Sequence, residues 1–345
     1  MFATDMIRNR PFFSRCCQRA VLALGAVLFS SLQAVSQANG QDGITVTAVG
    51  DVRITDRMIG IQLNELHKIR LRGDLVFANF EGVISEHPSS DPWKFAADPN
   101  SGAILSAMGI NFLGMANNHV LDLGEEAYRA TAEKLRREGF LVSGIDENGT
   151  VARIRSHEVR VISYSFTSPR NNVTDSSSVP TSFGKKAGEI LIISAHMGGE
   201  DHTSHTVPGA MEYFGPEQRG DVMAFSHRCI NAGADLVLGH GPHVPRGIEL
   251  YKGKLIVYSL GNFAFDYPGV STRGNAPGYS ISVRLEGNGD FRWARIDSYE
   301  LRSGLPVKDR SANAYWLVRD LTLGNLKQTA FSFSGDGRVV LKGRE

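Results

Sequence analysis

The chain has 345 residues, 42% hydrophobic and 21% charged, with 37 basic against 36 acidic side chains. This is ordinary globular composition, with enough apolar material for a sizeable core. No basic stripe is present of the kind that nucleic acid demands, so nucleic acid is excluded as a partner.

The first 38 residues stand apart. Arg8, Arg10, Arg15 and Arg19 form a basic segment, 20–32 (AVLALGAVLFSSL) is an apolar run, and Ser36-Gln37-Ala38 reads as a cleavage signal. The run is shorter than the roughly 20 residues that cross a bilayer. It therefore reads as an export signal, the alternative being an uncleaved membrane anchor. Either way the expected location is periplasmic or extracellular. Cys16 and Cys17 precede the run, which argues against lipidation of a cysteine after it. Removing 1–38 takes away four arginines and one aspartate and leaves a net charge of −2. It also leaves one cysteine, Cys229, placed among Val222, Phe225 and Ile230 of an expected helix and read as a buried small hydrophobe.

From residue 44 onward, short apolar runs alternate with amphipathic segments. The pattern predicts a strand over 44–49, a helix over 58–70, a strand over 75–80, a short helix over 103–108 and a strand over 110–115. A helix over 125–138 follows, acidic at its start, basic near its end and stopped by Gly139, and then a brief strand over 141–143. A hairpin is expected over 150–165, turning at Ser156-His157, followed by a polar loop over 167–182 and a buried strand over 190–195. A helix over 216–232 is expected to start at Pro216 and stop at Gly233. A strand over 235–238 leads into hairpins over 247–259, 279–296 and 331–338. This alternation predicts an α/β fold.

Polar residues recur where the buried strands end. The first strand runs into Asp51, the second into Glu81, and the third into Asn117, Asn118 and His119. The strand over 190–195 ends at His196, and the strand over 235–238 leads to His240 with His243 three residues on. In open α/β sheets ligands bind outside the carboxyl ends of the strands. Carboxylate, amide and imidazole are also ligands for a hard or borderline divalent ion. Each residue alone has a plainer reading as a cap or turn residue. Together they predict a metal site.

Four segments carry a resemblance to a known family. In chain order, Asn79 to Gly82 (NFEG), Ala116 to Asp122 (ANNHVLD), Gly233 to His243 (GADLVLGHGPH) and Tyr258 to Phe263 (YSLGNF) resemble motifs of the capsule-synthesis proteins of the poly-γ-glutamate type, relatives of the calcineurin-like metallophosphoesterases. The resemblance spans 44–298. It implies a four-layer α/β/β/α sandwich, here with a β-rich C-terminal extension over 299–345. It implies one or two divalent ions (Mn, Zn, Fe or Mg), with Asp51, Glu81 and His243 at the first and Glu81, Asn118, His196 and His240 at the second. His119 matches a non-ligand histidine that can protonate a leaving group, and Asp122 either orients it or caps the next helix. Substrate contacts are expected from Arg53, Asn117, Arg246 and Asn262, with His202 and His205 nearby. For Asn262 turn chemistry is the competing reading, and for the cations plain surface charge.

Two departures matter. Asp51-Val52-Arg53 lacks the histidine of the wider D-x-H motif, so one strong metal beside a weaker one is expected. His196 is followed by Met-Gly-Gly-Glu where many relatives have Trp-Gly-x-Glu. The implied function is metal-dependent hydrolysis of an anionic polymer or phosphoester, alongside capsule synthesis or export machinery. The alternative is an assembly factor that binds polymer without turnover.

Overall fold

The computed structural model describes residues 43–59, 67–87, 89–200, 204–265 and 277–344. The expected N-terminal signal lies outside these residues, as do His202 and most of the helix expected over 58–70, where Asp56–Ile59 is helical and His67–Ile69 forms a 3-10 turn. Among the described residues no helix is long and apolar enough to cross a membrane.

Two sheets carry the fold. In the ten-stranded sheet Gly43–Arg53 lies next to Leu75–Phe80 in parallel and next to Gly278–Glu286 in antiparallel, and Phe112–Gly114 and Leu141–Ser143 continue the parallel side. In the six-stranded sheet His157–Ser165, Ile190–His196, Leu236–His240 and Lys254–Val257 are parallel neighbours, with antiparallel edges. Strand alternation sends one face of each sheet inward. Ile44, Val46, Ala48, Leu75 and Phe77 of the first sheet meet Val161, Ile192, Leu236 and Leu238 of the second in one buried core.

Helices cover the outer faces. Leu105 of Ser101–Ala107 and Leu135 of Glu125–Arg137 pack on Val76, Ala78 and Leu113. On the other side Phe225 and Cys229 of Val222–Asn231 pack on Leu191, Ile193 and Val237. The result is the α/β/β/α sandwich that the resemblance implies. Cys229 is buried, and burial raises its thiol pKa.

Some local expectations give way to stronger local chemistry. The helix expected from Pro216 begins at Val222, because Asp221 accepts a hydrogen bond from the Ala224 amide at 2.9 Å and caps it. Pro216 instead sits in the turn between the short strands Glu212–Phe214 and Glu217–Gly220. The hairpin near 155 turns one residue early, so His157 opens a strand. The boundary expected at 298/299 falls inside the strand Phe291–Arg302. The C-terminal strands Leu305–Lys308 and Arg338–Leu341 pair with that same strand. Between them lies a helix the sequence reading did not name, Asn313–Gly324, which buries Ala314, Tyr315 and Val318 in the inter-sheet core.

Candidate metal centre

The inward face of each sheet changes character at its end. Along Leu75–Phe80 the inward positions are Leu75 and Phe77, then Asn79, and Glu81 follows at the same spacing. Along Ile190–His196 they are Ile190 and Ile192, then Ser194 and His196. Along Leu236–His240 they are Leu236 and Leu238, then His240. His196 and His240 lie opposite each other across the parallel pairing. The first strand reaches the same seam through an irregularity. Its inward positions are even-numbered through Ala48, and a register shift between Ala48 and Asp51 moves the parity so that Asp51 joins them. Gly50 permits this: a Cβ there would lie 1.7 Å from the Gly261 carbonyl oxygen. The Asp51 amide donates to that same oxygen at 2.9 Å, which sets Asp51 beside Asn262.

The convergence is tight. Asp51 Oδ1 is 3.5 Å from His240 Nδ1, and Asp51 Oδ2 is 3.3 Å from His243 Nδ1. Glu81 Oε1 is 3.9 Å from His196 Nε2 and 3.8 Å from His243 Nε2. Asp51, Glu81 and His196 each offer a ligand atom, all within 4.8 Å of one another, and could hold a metal ion. His243 adopts φ 58, the left-handed region that costs a non-glycine residue free energy and concentrates at functional sites. Its Nδ1 lies 2.8 Å from Asn262 Oδ1. An amide oxygen there fixes the tautomer: Nδ1 donates and Nε2 faces Glu81.

Electrostatics single the cluster out. Glu81 is fully buried, and burial first, then the charges of Asp51 and Glu200, pushes its carboxyl well above the usual range. Burial also acts against the Asp51 carboxylate, but the imidazoles of His240 and His243 bring it well below its usual range. His196 is pushed well down by burial. Burial opposes protonation of His243 as well, yet Glu81 and Glu200 raise it well above the ordinary imidazole value. Both Glu81 oxygens, Asn118 Oδ1, His196 Nε2 and both His240 ring nitrogens are buried without a hydrogen bond. Buried polar groups are ordinarily satisfied, at a cost of about 1–3 kcal/mol each when they are not. Six such atoms at one place, all of metal-ligand type, fit a bound cation.

His119 flanks the cluster. Its Nδ1 is 2.8 Å from Asp122 Oδ2 and its Nε2 is 3.8 Å from Glu81 Oε1. Asp122 also accepts from the Phe95 amide at 2.7 Å, while the following helix starts from Gly124 without a side-chain cap. Of the two roles open to Asp122, the geometry shows orientation of His119. The Phe95 ring stacks on His119 at 3.5 Å, and the Arg53 guanidinium lies 4.0 Å from the same ring. Arg53 is thus brought close, and its charge acts on Glu81.

Other expected contacts are placed differently. Arg246 is 1% exposed, and Glu212 takes both its terminal nitrogens at 2.9 and 2.6 Å while Ser204 O accepts from its Nε. It holds the loop after His196 and turns no guanidinium to solvent. Asn117 is buried, donating to Phe80 O at 2.9 Å and accepting from the His119 amide at 3.1 Å, so it shapes the site from within. His205 Nδ1 lies 2.9 Å from Pro245 O. Sequence reasoning gave no role to Asn79, whose Nδ2 donates to Asp51 Oδ1 at 2.8 Å and lies 3.3 Å from His196 Nδ1. The signal was available, since Asn79 shares the inward parity of Leu75 and Phe77. Glu200 also gained no role. It is buried, takes Arg219 Nη1 on Oε1 at 2.6 Å, and brings Oε2 to 3.8 Å from His243 Nε2.

Fold and site together define a four-layer α/β protein with a buried Asp/Glu/His cluster where the parallel strands of both sheets end. The model of the bacterial capsule synthesis protein family PGA_cap matches residues 45–267, and the chain belongs to that family. It is 26% identical over 272 residues to the PGA biosynthesis protein CapA of Bacillus subtilis, a match covering 72% of this chain and 68% of that protein. A probable polyglutamine synthesis accessory protein of Mycobacterium tuberculosis is 29% identical over 229 residues, and the match spans 57% of each chain. The capsule biosynthesis protein CapA of Bacillus anthracis is 23% identical, with 78% of this chain and 71% of that one covered. Among solved structures, a 5'-nucleotidase precursor from Thermus thermophilus aligns with a TM-score of 0.44 at 12% identity, covering 81% of this chain and 58% of that one.

Proposed function

We propose that this member of the capsule synthesis family is an exported, metal-dependent hydrolase acting on an anionic polymer or phosphoester. The observation that carries the reading is the set of buried donor atoms without hydrogen bonds around Glu81. Asp51, Glu81 and His243 would hold one divalent ion, and Glu81, Asn118, His196 and His240 a second. When bound, such an ion polarises the bond under attack and lowers the pKa of a nucleophilic water.

The rest is the work of the chain's own groups. Asp122 holds His119 by Nδ1, which leaves Nε2 as the atom that can pass a proton to a leaving group. Stacking on Phe95 fixes the ring plane. Arg53 supplies positive charge toward an anionic substrate. Arg53 and Lys94 line one cleft of about 250 Å³, and Asn117 and Asn118 line another of about 330 Å³.

A second reading, an assembly factor that binds polymer without turnover, is favoured by Arg53 standing where the wider superfamily pattern has a ligand histidine. The separating experiment assays the purified protein on phosphoester and γ-glutamyl peptide substrates with and without chelator. Chelator-sensitive turnover supports the enzyme, whereas polymer binding with no turnover supports the assembly factor. Export is tested by fractionation, and full-length protein retained in the cytosol would contradict it.

A further inference from the structure

We propose that Glu200 is a ligand of the first metal position, standing in for the histidine that Asp51-Val52-Arg53 lacks. This rests on the metal-dependent reading above and extends it to a residue outside the ligand set that the resemblance implies.

The geometry begins at His243. Its Nδ1 is committed to Asn262 Oδ1 at 2.8 Å, so in the neutral ring Nε2 carries the lone pair. That nitrogen faces two carboxylate oxygens, Glu81 Oε1 at 3.8 Å and Glu200 Oε2 at 3.8 Å. Two carboxylate oxygens and an imidazole nitrogen gathered at one point need positive charge among them, either a proton on the ring or a bound cation. Donors about 2.0–2.2 Å from one ion lie no more than about 4.4 Å apart, so each of the two separations from His243 is short enough for a shared cation, which would draw Glu81 and Glu200 toward it. Glu81, fully buried with neither oxygen hydrogen-bonded, points independently to an ion there.

Glu200 is also built to be held in place. Arg219 Nη1 binds its Oε1 at 2.6 Å, and the Arg219 guanidinium lies 4.0 Å over the Phe166 ring. The arginine takes one oxygen and leaves Oε2 directed at His243. This is the outer support that orients a ligating carboxylate. Exchanging a histidine for a carboxylate makes the first position richer in oxygen, with Asp51, Glu81 and Glu200 beside one imidazole. Such a set suits Mn²⁺ or Mg²⁺ better than a softer site would.

The test is the affinity of metal-free protein for Mn²⁺ alone, read by calorimetry and by the electron paramagnetic resonance of free Mn²⁺, for wild type and Glu200→Gln. The glutamine keeps an oxygen for Arg219 but lacks the charge. Glu200→Gln is expected to weaken Mn²⁺ binding at least 10–100-fold, and its melting temperature in chelator should fall only modestly, since Arg219 Nε keeps Glu217 at 2.8 Å. Equal Mn²⁺ affinity in the two proteins would overturn the assignment and leave Glu200 as an anchor for Arg219. If the glutamine variant does not fold, Glu200→Asp keeps the charge but withdraws it by one methylene, and the same two outcomes decide. Wild type that binds no Mn²⁺, Zn²⁺ or Fe²⁺ would overturn the metal-dependent reading itself, an outcome distinct from wild type that binds and a variant that binds equally well.

Discussion

Asp235 and Glu81 are both fully buried carboxylates of this sandwich, and the chain treats them in opposite ways. Asp235 lies just before the strand Leu236–His240, with Lys185 Nζ on both its oxygens at 2.8 Å, Lys254 Nζ on Oδ1 at 2.8 Å and the Leu191 amide on Oδ2 at 2.9 Å. Glu81 lies beyond the end of its strand, in the seam that also receives Leu236–His240, and has two oxygens without a hydrogen bond. The first carboxylate has its cations built into the chain. The second has no cation hydrogen-bonded to it: imidazoles, an amide and other carboxylates gather around it, with the charges of His243 and Arg53 acting on it without a hydrogen bond. A buried carboxyl without hydrogen bonds is costly in either protonation state, and its persistence marks a place suited to a cation from outside.

The largest expected effect separates chemistry from metal binding. His119→Ala should lower any hydrolytic rate by about 10²–10⁴-fold, the usual contribution of acid–base catalysis, while metal content and melting temperature stay close to wild type. His240→Ala should lose metal and stability together, because ligand binding is coupled to folding. Kinetics beside metal analysis checks both, and equal metal loss in the two variants would remove the distinction.

The next expectation sets the two carboxylates against each other by the same acid-to-amide change. Asp235→Asn takes the counter-charge from Lys185 and leaves Lys254 with Asp290 at 3.0 Å; it should cost roughly 2–4 kcal/mol by denaturant unfolding, somewhat under the value for a wholly buried pair because both lysines are partly exposed. Glu81→Gln in chelator should instead be neutral or stabilising by roughly 1 kcal/mol, since it replaces a carboxyl whose ionisation burial disfavours with an uncharged amide. Destabilisation of both to the same degree would erase the contrast.

The smallest expected effect is a pH dependence. In the metal-free fold Glu81 and His243 both hold protons more tightly than in the unfolded chain, so the stability they contribute is present at low pH and lost as pH rises through their folded values. A cation needs those protons gone. His196, kept neutral by burial, and Asp51, kept ionised, are in the same state with or without metal and do not alter the difference. The rise in melting temperature produced by metal should therefore be larger at pH 8 than at pH 6. A constant or reversed difference would count against Glu81 and His243 as ligands.

Much of this was legible in the sequence, for a physical reason. Strand ends reveal themselves where an apolar run gives way to Asp51, Glu81, His196 or His240, and period-two alternation carries Asn79, His196 and His240 to the inward face. Less legible was whatever depends on pairing across the fold. The bulge that turns Asp51 inward needs Gly50 against Gly261, more than 200 residues away. Arg246 reads as a free cation until Glu212 is seen to hold it. Asp122 reads equally as a cap until its oxygen is found on His119. Pro216 suggested a helix start because Asp221, the stronger cap, lies five residues on. Asn313–Gly324 was passed over because its apolar face is completed only by the two sheets it packs between.

The most direct test is calorimetric titration of metal-free wild type and Glu81→Gln with Mn²⁺, with thermal unfolding of each before and after. Wild type should bind at least one ion per chain saturably and melt at a higher temperature when loaded, while Glu81→Gln should bind far more weakly and gain little. Absence of saturable binding by wild type, with a melting temperature indifferent to metal, would contradict the account.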